Sequence, residues 1–164
     1  MFKRILVAID GSANAWRALD QAVSLAKCMR PEKLGILHVR PSLATLAYSF
    51  GLDVAASPYG TFAERMVAEM QELESRSQAL LYEAEERVRQ AGLEGVTVVR
   101  HAEEGAVVRQ ILDVVRREGY DLLVMGSRGM GRAAGLILGS VSQSVVANLP
   151  CSVLIVEHRD GEEG

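Results

Sequence analysis

Five glycines fall between positions 126 and 139: Gly126, Gly129, Gly131, Gly135 and Gly139. Ser140 follows directly, and Ser142 stands two residues further on. Glycine-dense backbone after a strand lets several N–H groups converge on one anion, and a helix opening at Ser140 would add free donors and its dipole. The hydroxyls of Ser140 and Ser142 are further donors of the right kind. The charge pattern agrees. From Leu122 to Val156 there is no Asp or Glu, and Arg128 and Arg132 are the only charges. In a chain with 21 acidic residues, such a vacancy suits a phosphate, which a nearby carboxylate would repel. The chemistry expected of this segment is phosphate binding. The competing reading is a glycine-rich turn before an apolar helix and strand.

Two common phosphate motifs do not fit. A P-loop needs Lys before its Ser or Thr, and Leu138-Gly139-Ser140 has none. Gly129-x-Gly131-x-x-Ala134 has the outline of the dinucleotide fingerprint. It follows a fourth strand, however, and lacks the acid that should stand about 20 residues on in a suitable second strand.

Other candidate residues are scattered. Asp10 closes an apolar run beside Gly11, where an Asx turn, a helix cap and a ligand or metal contact all suit a carboxylate. His38, His101 and His158 have no metal-ligand spacing and are expected to be structural or on the surface. Cys28 and Cys151 cannot make a disulfide framework or a four-ligand zinc site, and both are expected to be inert and partly buried. Trp16 falls beside an apolar stripe, which predicts a half-exposed ring. Met66 and Met70 fit core filling better than an interaction surface.

The elements that would position these residues alternate regularly. Arg4–Ile9 reads as a buried strand running into a turn, with Ser12 as the N-cap of a helix whose apolar stripe runs from Ala15 to Met29. Pro31 stops that helix, and Leu34–Val39 is a second strand. The segment from Pro41 to Gly60 contains two prolines and two glycines and reads as a long, partly apolar loop, a candidate lid or partner surface. Thr61–Ala91 is a long helix with Met66, Met70, Leu73, Ser77, Leu80, Leu81, Ala84 and Val88 on one face and a charged opposite face. Then come a strand at Val96–Arg100, a helix at Gly105–Glu118, a strand at Leu122–Met125, a helix at Ser140–Asn148 and a strand at Ser152–Val156.

Strands apolar throughout, alternating with helices, predict an α/β fold: an open, doubly wound, parallel five-stranded sheet with helices on both faces. Such sheets bind ligands beyond the carboxyl ends of their strands. The positions expected to meet a ligand are then Asp10-Gly11, Val39-Arg40, His101 to Glu104, and Gly126 onward.

The size and composition set the remaining bounds. The chain has 164 residues, 49% of them hydrophobic and 24% charged, with a net charge of −3. That is ordinary for one globular domain and a poor match to a protein that binds nucleic acid through bulk charge. The first apolar run, Ile5 to Ile9, is too short for a signal peptide or membrane span, so a soluble cytoplasmic protein is expected. The expected domain is 1–158, followed by a polar tail at 159–164.

The spacing Gly126-x2-Gly129-x9-Gly139-Ser140 resembles the universal stress protein family, specifically its ATP-binding branch, whose motif is G-x2-G-x9-G-[ST]. ILVAIDGSANAWRAL, LGILHV, YDLLVMGSRGMGR and LGSVSQSVVANLPCSVLIV resemble further stretches of that family. The resemblance implies a Rossmann-like fold of the adenine nucleotide alpha hydrolase kind. It implies that Asp10 lies near ribose, phosphates or a bound metal such as Mg²⁺, and that backbone at Val39 meets adenine. It implies that Gly126, Gly129, Gly139 and Ser140 hold phosphate and ribose, with Val141 and Ser142 beside them. Arg128 departs from the His that many relatives carry, and it keeps its positive charge at any pH.

The function implied is an ATP-binding regulator or sensor in stress response, acting through conformation or partner binding. The alternatives are a slow ATPase, an AMP- or cyclic AMP-binding protein, and a nucleotide-free dimerisation module. For turnover, Arg128 and Arg132 could supply charge. No Asp, Glu, His or Gln stands between Gly126 and Ser142 as a base, which leaves Glu103 or Glu104 to approach from the third strand. Relatives are commonly homodimers joined through the last strand. An apolar Ser152–Val156 edge suits that arrangement here.

Overall fold

The structure, a computed structural model, describes residues 1–42, 44–45, 60–129 and 138–157, the side chains of 60–63 excepted. Most of the Pro41–Gly60 segment lies outside the described residues, as do Arg132, His158 and the tail at 159–164. In chain order the elements are β1 (Arg4–Ala8), α1 (Ala13–Met29), β2 (Lys33–Arg40), α2 (Gly60–Gln90), β3 (Thr97–Glu104), α3 (Val107–Glu118), β4 (Leu122–Gly126), α4 (Ser140–Asn148) and β5 (Ser152–Val156). The strands form one parallel sheet in the order β3-β2-β1-β4-β5. The expected α/β architecture is the one found.

The period of two along each strand sorts the apolar residues onto two faces. Ile5 and Val7 of β1 with Ile9 just after it, Leu34 and Ile36 of β2, and Leu122 and Val124 of β4 join α1 and α2 in one core. Leu6, Leu37, Leu123 and Met125 point the other way, into a second core with Ile111, Val114 and Val115 of α3 and Val145 of α4. Both faces are therefore covered, which is why these strands read as continuous apolar runs.

α1 begins where Ser12 accepts a hydrogen bond from the Ala15 N–H at 3.2 Å. Its buried stripe consists largely of Ala15, Ala18, Ala22 and Ala26, small enough for the helix to lie close to the sheet. It ends at Arg30 in the left-handed conformation, with the Arg30 N–H bonded to the Ala26 carbonyl, before Pro31. α2 buries Met66, Ser77, Leu81, Ala84 and Val88, as the periodicity predicts. Arg87 ties α2 to α1: it is bidentate to Asp20 at 2.8 and 2.7 Å, and its guanidinium lies 5.8 Å from the centroid of the Trp16 ring. Trp16 is partly buried at this seam, as expected. Cys28 corrects the expectation, because it is exposed on α1.

β3 runs to Glu104, four residues beyond the predicted end at Arg100. It is an edge strand whose eight residues all pair with β2, from Lys33↔Thr97 to Arg40↔Glu104. Backbone pairing continues there after the apolar signal has ended, through residues whose polar side chains an edge strand tolerates.

In the α3 layer one aromatic residue wedges between helix and sheet. Tyr120, just past the C-terminus of α3, is buried, and its hydroxyl lies 2.7 Å from Nε2 of the buried His101 on β3. The two rings meet edge to face at 87°. Gly35 makes this possible: a Cβ there would stand 2.1 Å from the Tyr120 hydroxyl oxygen and 2.9 Å from a Leu6 methyl carbon. We therefore expect Gly35→Ala to destabilise the fold by about 1–3 kcal/mol, the cost of overpacking a core, although alanine suits a strand better than glycine. Urea unfolding of both proteins checks this, and equal midpoints would contradict it.

Candidate functional site

A cavity of about 590 Å³ opens beyond the carboxyl ends of β1, β2 and β4. It straddles β1 and β4, where the chain changes the direction in which it adds strands, the place such sheets offer to ligands. Its size lies within the usual range for small-molecule sites, about 300–1,000 Å³. Asp10, Val39, Gly126, Arg128, Gly129, Gly139, Ser140, Val141 and Ser142, singled out from the sequence, all line it.

The lining is of two unlike kinds. One is apolar, with Ile9, Leu37, Val39, Val107, Ile111 and Met125 in the wall. The other is the start of α4. Gly139 caps that helix in extended backbone with no side-chain hydrogen bond, and the first turn closes with the Gln143 N–H on the Gly139 carbonyl at 2.9 Å. The N–H groups of Ser140, Val141 and Ser142 are thus left without an intrahelical acceptor.

Ser127 holds the start of α4 in place. Its N–H donates to the Val156 carbonyl, and its own carbonyl accepts from the Gly139 N–H, both at 2.8 Å. Its hydroxyl lies 3.4 Å from the Asn14 side-chain nitrogen at the start of α1. Gly126 lets α1 come this close, since a Cβ there would sit 2.8 Å from Asn14 Cβ and 3.0 Å from the Asn14 carbonyl carbon. Ser142 is buried, and its hydroxyl donates to the Gly126 carbonyl at 3.0 Å. That corrects the expectation of a hydroxyl donor at Ser142: the proton already has an acceptor, and the side chain braces the loop. Ser140 is exposed.

Two charged side chains are among the described lining residues, Asp10 and Arg128. Asp10 forms an Asx turn, accepting the Ser12 N–H at 2.9 Å. Its other oxygen faces Gly129, where a Cβ would be only 2.6 Å away. The turn and the cavity-facing roles are thus combined in one carboxylate. Arg128 is partly buried, and its Nε is buried without a hydrogen-bond partner. Among the described residues no group of three or more His, Cys, Asp or Glu could hold a metal, so Asp10 would contribute one carboxylate to an ion whose other ligands came from elsewhere.

Several sequence expectations are corrected. Arg40 and the run from His101 to Glu104 do not line the cavity. His101 faces Tyr120, Glu103 pairs with Arg117 at 2.6 Å, and Glu104 pairs with Arg40 at 2.8 Å. Arg40 also holds Glu74 at 3.1 Å. β3 lies two strands from β1, too far to the side for its end to reach the cavity. His38 is structural, with Nδ1 2.9 Å from the Ile9 carbonyl. Cys151 is partly buried, and burial raises its thiol pKa. From the sequence Ile111, Leu37 and Met125 read only as buried core, and Val107 is not singled out. The pattern of those three is the core pattern, and the same residues also line the cavity.

The profile of the Universal stress protein family matches residues 1–157. Universal stress protein YxiE of Bacillus subtilis (strain 168) is 35% identical over 158 residues, covering 95% of this chain and 99% of its own length. Among solved structures, a universal stress protein in complex with cAMP is 25% identical, with a TM-score of 0.63 over 96% of this chain and 98% of its own. Universal stress protein UspA from Lactobacillus plantarum is 19% identical with a TM-score of 0.74 over 94% of this chain and 97% of its own, a likeness of fold. The chain belongs to the universal stress protein family.

Proposed function

We propose that this chain binds an adenine nucleotide in the cavity, with ATP and Mg²⁺ as its principal ligand, and acts in stress response through conformation or partner binding. The observation that carries the reading is the pairing of an apolar slot with an uncapped helix N-terminus in one cavity. The slot suits a base, and the free N–H groups of α4 with Arg128 suit phosphate. Asp10 beside Gly129 opposes a highly charged ligand unless a cation lies between them. Mg²⁺ bound there would neutralise phosphate charge next to that carboxylate, whereas AMP or cyclic AMP needs no such ion. The complex of a 25% identical relative with cAMP supports the nucleotide class and keeps the smaller ligands as the second reading.

Turnover is the weaker proposal. Glu103 and Glu104 are held in ion pairs with Arg117 and Arg40, away from the cavity. No other described lining residue except Asp10 carries a carboxylate to orient water. A cytoplasmic location goes with this reading; among the described residues no helix is long and apolar enough to cross a membrane. We further propose a homodimer through Ser152–Val156. β5 is an edge of the sheet, its residues from Val153 to Val156 are only partly buried, and residues 138–156 carry no charge.

Denaturing the purified protein and identifying released nucleotide by mass spectrometry tests the central claim, followed by calorimetric titration with ATP, AMP and cyclic AMP with and without Mg²⁺. Ser140→Glu, which places a carboxylate among the free N–H groups, should weaken ATP binding about tenfold or more without lowering thermal stability. Asp10→Asn should reduce the Mg²⁺ dependence of ATP binding and leave cyclic AMP affinity nearly unchanged. No binding of any of the three nucleotides would reject the reading and favour the dimerisation module. For the dimer, sedimentation at micromolar concentration should give twice the chain mass, and a monomer there would refute it.

A further inference from the structure

We propose that His101 and Tyr120 form a proton-sensitive latch: with His101 neutral, α3 is held against β2 and β3 and the cavity wall is complete, and protonation of His101 releases that wall. The link to ligand affinity rests on the nucleotide reading above; the latch itself does not.

The geometry leaves the protonated state poorly accommodated. The neutral imidazole accepts or donates one hydrogen bond with the Tyr120 hydroxyl at 2.7 Å. Once both ring nitrogens carry protons, Nε2 can only donate, and the hydroxyl must turn its own proton elsewhere. It is pressed against Gly35, with a Leu6 methyl close by, and His101 is the one hydrogen-bond partner the described residues offer it. The new charge would also lie in a buried position. Both effects favour a state in which Tyr120 has swung out.

Tyr120 belongs to the same apolar cluster as Leu37, Ile111 and Met125, and partly buried Val39 and Val141 pack on that cluster. All five also line the cavity. Tyr120 stands two residues past the end of α3, and α3 carries Val107 and Ile111. On the sheet, His101 pairs in register with Leu37. Swinging Tyr120 out therefore loosens the helix that forms part of the wall.

The charged groups around His101 come from every neighbouring element. Glu103 on β3 and Glu118 at the end of α3 favour its protonation, while Arg117 on α3 and Lys33 on β2 oppose it. Burial outweighs them and holds the imidazole below its ordinary value. Lys33 bonds Glu118 at 3.2 Å and keeps that carboxyl below the usual range, so Glu118 stays ionised while His101 titrates. Burial also raises the Tyr120 phenol, which stays neutral throughout. The closed form thus binds fewer protons than the open form below about pH 6.5, the ordinary histidine value. Closure is complete above that pH and is lost as pH falls. One proton limits the loss of ligand affinity to about tenfold per pH unit.

The test uses the full chain and cyclic AMP, whose phosphodiester lacks the second phosphate ionisation near pH 6. Amide hydrogen exchange, corrected for intrinsic rate, is followed at pH 7.5 and 5.5, and cyclic AMP is titrated at both. We expect protection of 107–118 to fall in acid relative to 13–29 on the opposite face, and cyclic AMP affinity to fall at least threefold. In His101→Gln, which keeps a hydrogen-bonding nitrogen but does not titrate, neither should change. Unchanged protection in the parent chain, or the same loss in His101→Gln, overturns the latch. Should His101→Gln fold poorly, nuclear magnetic resonance of the His101 ring in the parent chain decides: its titration midpoint must lie below 6.5 and coincide with the exchange transition, and separate midpoints overturn the proposal. If cyclic AMP does not bind at pH 7.5, only the cyclic AMP reading fails, the affinity comparison is made with ATP and Mg²⁺ instead, and the exchange measurement still judges the latch.

Discussion

Ser127 is the residue on which the carboxyl end of the sheet depends. Its backbone N–H, its carbonyl and its hydroxyl engage three different elements: the end of β5, the cap of α4 and the first turn of α1. Glycine at 126 is what allows the third of these, because α1 rests where a side chain would otherwise stand. Chain segments that are remote in sequence thus meet at one buried residue, 1% exposed. A helix N-terminus can present free donors to a cavity only if it cannot drift, and this junction fixes where the donors of α4 point.

The electrostatic design follows from a division of the charges. The chain carries 39 charged side chains. Those described at the carboxyl ends of β2 and β3 are engaged in ion pairs, Arg40 with both Glu74 and Glu104 and Arg117 with Glu103. Among the described lining residues the charges are one cation and one anion, Arg128 and Asp10. Those two charges offset each other.

The fold was legible because buried parallel strands leave an unmistakable signal, short apolar runs spaced by helices of period 3.6. The cavity's polar rim was equally legible, since a cluster of glycines ahead of Ser140 and a stretch without carboxylates have few other physical explanations. The apolar wall was not. Ile111 looks like any other inward-facing residue of a helix, and pattern alone cannot tell a core from the lining of a slot. The end of β3 was missed for a related reason. Its pairing with β2 continues through Glu103 and Glu104, where the side chains no longer report burial. Sequence also could not reveal that the Ser142 hydroxyl is already engaged with Gly126, because that contact spans sixteen residues and a turn of loop.

The placement of Trp16 has an optical consequence. It is the chain's one tryptophan, and it sits in the seam between α1 and α2 beneath Arg87, on the face of the sheet away from α3 and Tyr120. Intrinsic emission therefore monitors one of the two cores that flank the sheet. A curve recorded by tryptophan fluorescence would remain flat while the opposite layer loosened, and agreement between that curve and circular dichroism is the condition for treating the whole chain as a single cooperative unit.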